Sequence, residues 1–158
     1  MNDFIHIFSE EGQIEEAATL SSYTTWRVGG AAAIIFSPFT VDALQRAIQY
    51  AISHGVEYKI FGKGSNILAS DKPYNGLIIS LSKIKDKIEK RSETRFTISA
   101  GMGLPQVSRY LAKNGYTGHE FFSGIPGSIG GAIVMNAGTP KGEIKDVLVQ
   151  AIVLNEHG

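Results

Sequence analysis

The chain has no cysteine among its 158 residues, so it has no disulfide framework, no thiolate zinc site and no thiol nucleophile. It has no excess of charge of either sign: 15 Lys and Arg stand against 15 Asp and Glu. That removes the general electrostatic basis for binding nucleic acid or an anionic membrane surface. It has no long hydrophobic run, and stretches such as Leu77-Ile78-Ile79 break off far short of the roughly 20 residues that a membrane span needs. Residues 1–6 lack both the basic start and the apolar stretch of a secretory signal. The expectation is a cytoplasmic protein with no membrane or nucleic-acid partner. The four histidines, His6, His54, His119 and His157, show no metal-ligand spacing and have no accompanying carboxylate cluster, which argues against a metal site.

Glycine is what the chain has in excess, 18 residues or about 11%, against a usual value of roughly 7%. An apolar content of 43% is ordinary for a globular domain. Residues 1–20 read as an amphipathic lead-in broken by Gly12. Residues 31–36 read as a strand closed by Ser37-Pro38. Thr40 is placed to N-cap a helix over 41–54, with Val41, Leu44, Ile48, Ala51 and Ile52 as its apolar set and Gly55 ending it. Strands are expected at 56–61 and 77–81, completing a βαβ-like unit.

Residues 82–95 are the most charged part of the chain and read as a solvated connector between two subdomains, 1–82 and 83–158. Phe96, Ile98 and Ala100 alternate with polar residues as a half-buried strand does. Pro105 is placed to open a helix that Gly115 closes. The run 147–154 reads as a buried strand, and Asn155-Glu156-His157-Gly158 as a hairpin turn without a returning strand, hence a chain cut short.

The glycines cluster beside strand ends, where backbone meets a ligand closely. Phe61-Gly62-Lys63-Gly64-Ser65-Asn66-Ile67 follows a strand and is suited to an anion nest of successive N–H groups. It has neither Walker A nor dinucleotide-fold spacing, and a plain turn fits the local pattern as well as a phosphate cradle does. Ile125-Pro126-Gly127-Ser128-Ile129-Gly130-Gly131 continues into Asn136-Ala137-Gly138. Here Gly127 and Ser128 stand at a helix start suited to an anion. Gly130 and Gly131 weaken that helix, which calls for something flat, or another backbone, against it. In Thr25-Trp26-Arg27-Val28-Gly29-Gly30, Arg27 reads equally as a surface charge or as a partner for a phosphate.

In this order, and with Gly118-His119-Glu120-Phe121 between the last two, these motifs resemble the UDP-N-acetylenolpyruvoylglucosamine reductase family from about Ser21 to Gly158. The resemblance implies an α+β fold: an FAD-binding domain of the vanillyl-alcohol-oxidase type, two α+β subdomains with the flavin between them. It places FAD-binding residues at Phe61, Gly62, Lys63, Gly64, Ser65, Asn66 and Ile67. It places others at Ile125, Pro126, Gly127, Ser128, Gly130, Gly131, Asn136 and Gly138. It implies an oxidoreductase of peptidoglycan synthesis in which NADPH reduces the flavin and the flavin reduces the enolpyruvyl double bond of a UDP-sugar. The family's serine proton donor, late glutamate and Tyr-Arg-x-Ser stretch match nothing in this chain, so no catalytic residue is assigned and the chain is expected to be catalytically incomplete. The family's Asn-Ala-Gly-Ala-Tyr-Gly is replaced by Asn136-Ala137-Gly138-Thr139-Pro140-Lys141, which lacks the aromatic. Two other readings stand beside this one: a non-catalytic nucleotide- or phosphate-binding module, and an FAD-dependent oxidoreductase with another substrate.

Overall fold

The computed structural model describes residues 2–155. The chain folds as two compact units, one built on residues up to Lys85 and the other on Asp86–Ile152, with residues 153–155 belonging to the first.

The first unit opens with helix α1 (Asn2–Phe8) and strand β1 (Gly12–Glu16). Strand β2 (Ala32–Pro38), helix α2 (Val41–Ser53), strand β3 (Tyr58–Phe61) and strand β4 (Tyr74–Ser80) follow. The sheet order is β1-β2-β4-β3. β4 lies between β2 and β3 and is parallel to both, while β1 runs antiparallel along the far side of β2.

The lead-in therefore contains a strand where a break was expected. Gly12 does not end a segment. It allows β1 to lie close on β2, since a Cβ there would stand 2.4 Å from the Phe36 ring and 2.6 Å from the Ser37 carbonyl oxygen. The same pairing, Gly12 with Pro38 and Gln13 with Ser37, carries β2 two residues beyond its expected end.

Thr40 caps α2, its Oγ1 accepting from the Ala43 N–H at 3.0 Å, and Gly55 follows the helix at φ +64°. The buried stripe of α2 is Ala43, Leu44, Ala47, Ile48 and Ala51. Val41 and Ile52, expected inside, are exposed. The alanines take the inner face because they let the helix approach the sheet.

That face of the sheet buries Ile34, Phe36, Leu77 and Ile79 against α2 and against Phe4 and Phe8 of α1. A register shift between Ala32 and Ile34 puts Ala32 on the opposite face with Ile35 and Ile78. There Leu20 and Phe61 complete a second small core, with Tyr23, Ile67, Ala69 and Tyr74 packed on it. The candidate loop after β3 is anchored on this face by Phe61 before it and Ile67 after it.

The second unit contains the hairpin β5 (Ile88–Lys90) and β6 (Phe96–Ile98), helix α3 (Leu104–Lys113), helix α4 (Ile129–Met135) and the short pair β7 (Gly138–Thr139) and β8 (Gly142–Glu143). The charged connector is thus partly a strand, with Glu89 paired to Lys87 and Arg91 at its surface. Pro105 lies in the first turn of α3, and Gly115 follows the Asn114 cap at φ +79°. The core joins Met102, Leu104, Val107, Leu111, Phe121, Phe122, Ile129, Ala132 and Ile144.

The expected strand at 147–154 is not formed. Residues 148–155 carry no regular structure, and Val149, Ile152 and Val153 are 67%, 91% and 76% exposed. β-branched composition favours a strand only where another strand offers pairing, and among the described residues none does. The expected turn that begins at Asn155 otherwise lies outside the described residues.

Candidate functional site

The loop after β3 begins where Phe61, buried, pairs with Ser80 of β4. Of its two glycines, only Gly64 uses left-handed backbone, at φ +63°. Its need for glycine is also spatial: a Cβ would stand 1.9 Å from the Tyr23 carbonyl oxygen and 3.0 Å from the Thr24 Cα. The Thr25 N–H donates to the Gly64 carbonyl at 3.1 Å. The loop is therefore clamped against a turn some 40 residues earlier in the chain.

That turn is closed twice, by the Thr24 hydroxyl donating to the Val28 carbonyl at 2.9 Å and by the Arg27 N–H donating to the Thr24 carbonyl at 3.1 Å. Arg27 sits at φ +54°, a backbone conformation that residues other than glycine seldom adopt. Gly29 (φ +127°) and Gly30 then bring the chain against Ala69 and the Asp71 carbonyl, where neither position has room for a Cβ. The Tyr23 hydroxyl donates to the Glu15 carboxylate. Burial, then that bond and the carboxylate's charge, push the phenol up to about 12.

The clamp leaves donors free. Among the described residues, the N–H groups of Gly62, Lys63, Gly64 and Asn66 reach no backbone carbonyl. Lys63 and Asn66 are exposed, and Ser65 is half-buried. A row of unclaimed N–H groups, one of them on left-handed backbone, is the arrangement that receives an anion.

The second segment is arranged otherwise than expected. The first-turn N–H groups of α4 are already used within the unit. Ile129 donates to the Met102 carbonyl and Gly130 to the Ala100 carbonyl, both at 2.8 Å, and Gly131 donates to the Ser128 Oγ at 3.4 Å. The helix start itself offers an anion nothing in its first turn. The open donors are one step earlier, at Gly127 (φ +144°) and Ser128, whose N–H groups bind no backbone carbonyl among the described residues.

Gly130 is explained by close packing on Ala100, since its Cβ would meet the Ala100 Cβ at 3.0 Å and the Ala100 carbonyl oxygen at 3.3 Å. Gly131 is exposed, and its Cβ would meet only the Ser128 Oγ at 3.3 Å. Packing within the unit does not call for glycine there. Ile125 is half-buried against the core and Pro126 is exposed.

Asn136 ends α4 at φ +44°. Its side chain is fully engaged, Nδ2 donating to the Glu143 carboxylate and Oδ1 accepting from the Lys145 N–H at 3.0 Å. Gly138 pairs with Glu143, whose Cβ leaves no room for another. Both residues therefore shape the β7–β8 hairpin that replaces the missing aromatic.

His119 is buried. Its Nε2 faces the Tyr116 carbonyl at 3.0 Å, so Nε2 carries the proton and Nδ1 accepts from the Ser108 hydroxyl at 3.3 Å. Glu120 accepts backbone N–H bonds, and those of its own amide and of Gly118 hold its carboxyl below the usual carboxylate range. Both residues order the entry to this segment. Among the described residues no cluster of His, Asp and Glu is placed to hold a metal ion, and no helix is long and apolar enough to cross a membrane.

Each unit thus carries a glycine-bearing loop with N–H groups that reach no backbone carbonyl among the described residues, a backbone suited to phosphate. A model of the FAD binding domain family matches residues 32–158, and the chain belongs to that family. Its fold is that of the vanillyl-alcohol-oxidase type of flavoenzyme, shared with alkyldihydroxyacetonephosphate synthase at 24% identity and a TM-score of 0.58 over 73% of this chain and 25% of that one.

The nearer likeness is to UDP-N-acetylenolpyruvoylglucosamine reductase. The protein of that name from Trichormus variabilis is 39% identical over 146 residues, which is 92% of this chain and 44% of the relative. The crystal structure of the enzyme from Thermus caldophilus is 32% identical with a TM-score of 0.68, over 85% of this chain and 46% of that one. The chain spans about half the length of these relatives and covers their FAD-binding part. FAD is the cofactor that the family implies.

Proposed function

We propose that this chain is the FAD-holding part of a reductase that converts UDP-N-acetylenolpyruvoylglucosamine to UDP-N-acetylmuramate with NADPH, in the cytoplasm, as a step of peptidoglycan synthesis. The loop after β3 carries the reading, because the N–H groups of Gly62, Lys63, Gly64 and Asn66 follow a parallel strand, reach no backbone carbonyl among the described residues and are clamped in place by the Thr25–Gly64 bond. In this reading Phe61 and Ile67 anchor the loop while its backbone and the Ser65 and Asn66 side chains hold the pyrophosphate. Ile125, Pro126, Gly127 and Ser128 form a second contact, with Gly131 open to the cofactor and Gly130, Asn136 and Gly138 setting the local backbone. Bound FAD supplies hydride-transfer chemistry, and this chain's residues bind and orient it. Reduction of the UDP-sugar is assigned to the remainder of the enzyme, so the chain by itself is inactive.

The test is reconstitution. The purified chain, incubated with FAD and desalted, is expected to keep a flavin spectrum and to prefer FAD over ADP in competition. Protein that stays colourless overturns the reading, and equal affinity for ADP and FAD favours a plain nucleotide-binding module. Changing Ser65 and Asn66 together to Ala is expected to weaken FAD binding at least tenfold while leaving the fold intact.

A further inference from the structure

We propose that Arg27 is a pyrophosphate-binding cation of this site, brought to the residue 62–66 loop by the turn that carries it; this rests on the FAD reading above. The turn and the loop are bonded and packed together within the first unit. The Thr25 N–H bonds the Gly64 carbonyl at 3.1 Å, and the Tyr23 carbonyl fills the space a Gly64 side chain would need. Arg27 lies two residues beyond that junction, and its own N–H ties it back to the Thr24 carbonyl at 3.1 Å.

Its backbone is at φ +54°. Glycine adopts this conformation freely and stands two residues on, at Gly29, so the backbone alone does not account for an arginine here. Strain of this kind in a turn against a ligand loop points to a use for the side chain. That side chain is exposed and, like those of Arg95 and Arg109, has no ion pair among the described residues, so its charge is available to a ligand. A pyrophosphate brings two negative charges to the loop, and Lys63 alone supplies one positive charge. A guanidinium presents paired donors matched to phosphate oxygens, which an ammonium does not.

The experiment is titration of the purified chain with FAD at low and high salt, together with melting of the FAD-free protein, for wild type, Arg27→Gly, Arg27→Gln and Arg27→Lys. Arg27→Gly is expected to melt at or above the wild-type temperature yet bind FAD at least tenfold more weakly, with a smaller further loss at high salt. Arg27→Lys is expected to retain more affinity than Arg27→Gln. Wild-type FAD affinity in Arg27→Gly and Arg27→Gln overturns the proposal while leaving the FAD reading intact. So does a loss of affinity that tracks a fall in melting temperature, which marks a structural role. A wild-type chain that binds no FAD overturns both.

Discussion

Gly64 and Gly55 hold almost the same backbone angle, φ +63° and +64°, in opposite surroundings. Gly55 has nothing within 4 Å of a would-be Cβ, whereas Gly64 has the Tyr23 carbonyl at 1.9 Å. Gly55→Ala is therefore expected to cost only the left-handed penalty, about 1 kcal/mol. Gly64→Ala is expected to cost clearly more, because the turn must also move, and to abolish FAD binding; urea unfolding and FAD titration separate the two. The glycines themselves are legible in the sequence, but which one is trapped is not, because the trapping atom lies some 40 residues away. Tyr23 gives a pH dependence at the same junction. Its folded value of about 12 lies above the ordinary 10, so its contribution is complete below pH 10 and is lost as the pH rises toward 12. Tyr23→Phe is expected to lower stability at neutral pH and to flatten that alkaline fall, read as urea midpoints across the range.

Elements with local punctuation were readable from the chain. α2 follows from the Thr40 cap and Gly55, and α3 from Pro105 and Gly115, because a helix is specified by neighbours within a few residues. Strands depend on partners elsewhere; β2, β3, β4 and β6 fall where their apolar patterns predict them, while two segments miss in opposite directions. β1 is hidden behind Gly12 and two glutamates, and the apolar run 147–154 suggests a strand for which the described residues offer no partner. α4 shows the same limit within the candidate site. Its small residues and Ser128 cap are visible in the sequence, but the capture of its N–H groups by Ala100 and Met102 is not. The two glycines of α4 now part company. Gly131→Ala is expected to stabilise the FAD-free protein by up to about 1 kcal/mol through helix propensity, while lowering FAD affinity. If affinity is unchanged in the titration, Gly131 is not a contact.

For the molecule as a whole, balanced charge and abundant glycine point the same way: they suit the proposed site, in which an anion meets local backbone rather than an overall field. Such a site stabilises the protein by mass action. At FAD a hundredfold above its Kd, the unfolding free energy of the unit that binds it is expected to rise by about 2.7 kcal/mol, seen as a higher melting temperature that scales with FAD and is absent with adenosine. The α/β character of the first unit is visible in its alternation of helix and strand, while the insertion of β4 between its predecessors is not, since hydrophobic runs carry no order across a sheet. That insertion has a consequence for synthesis. As the chain leaves the ribosome, β2, α2, β3 and the cofactor loop all emerge before the strand that joins them. Until Ser80 is clear of the exit tunnel β2 has only β1 beside it and β3 has no partner strand, so the nascent loop is held only by the residue 23–25 turn, and that interval is the one in which an open strand edge most needs a chaperone.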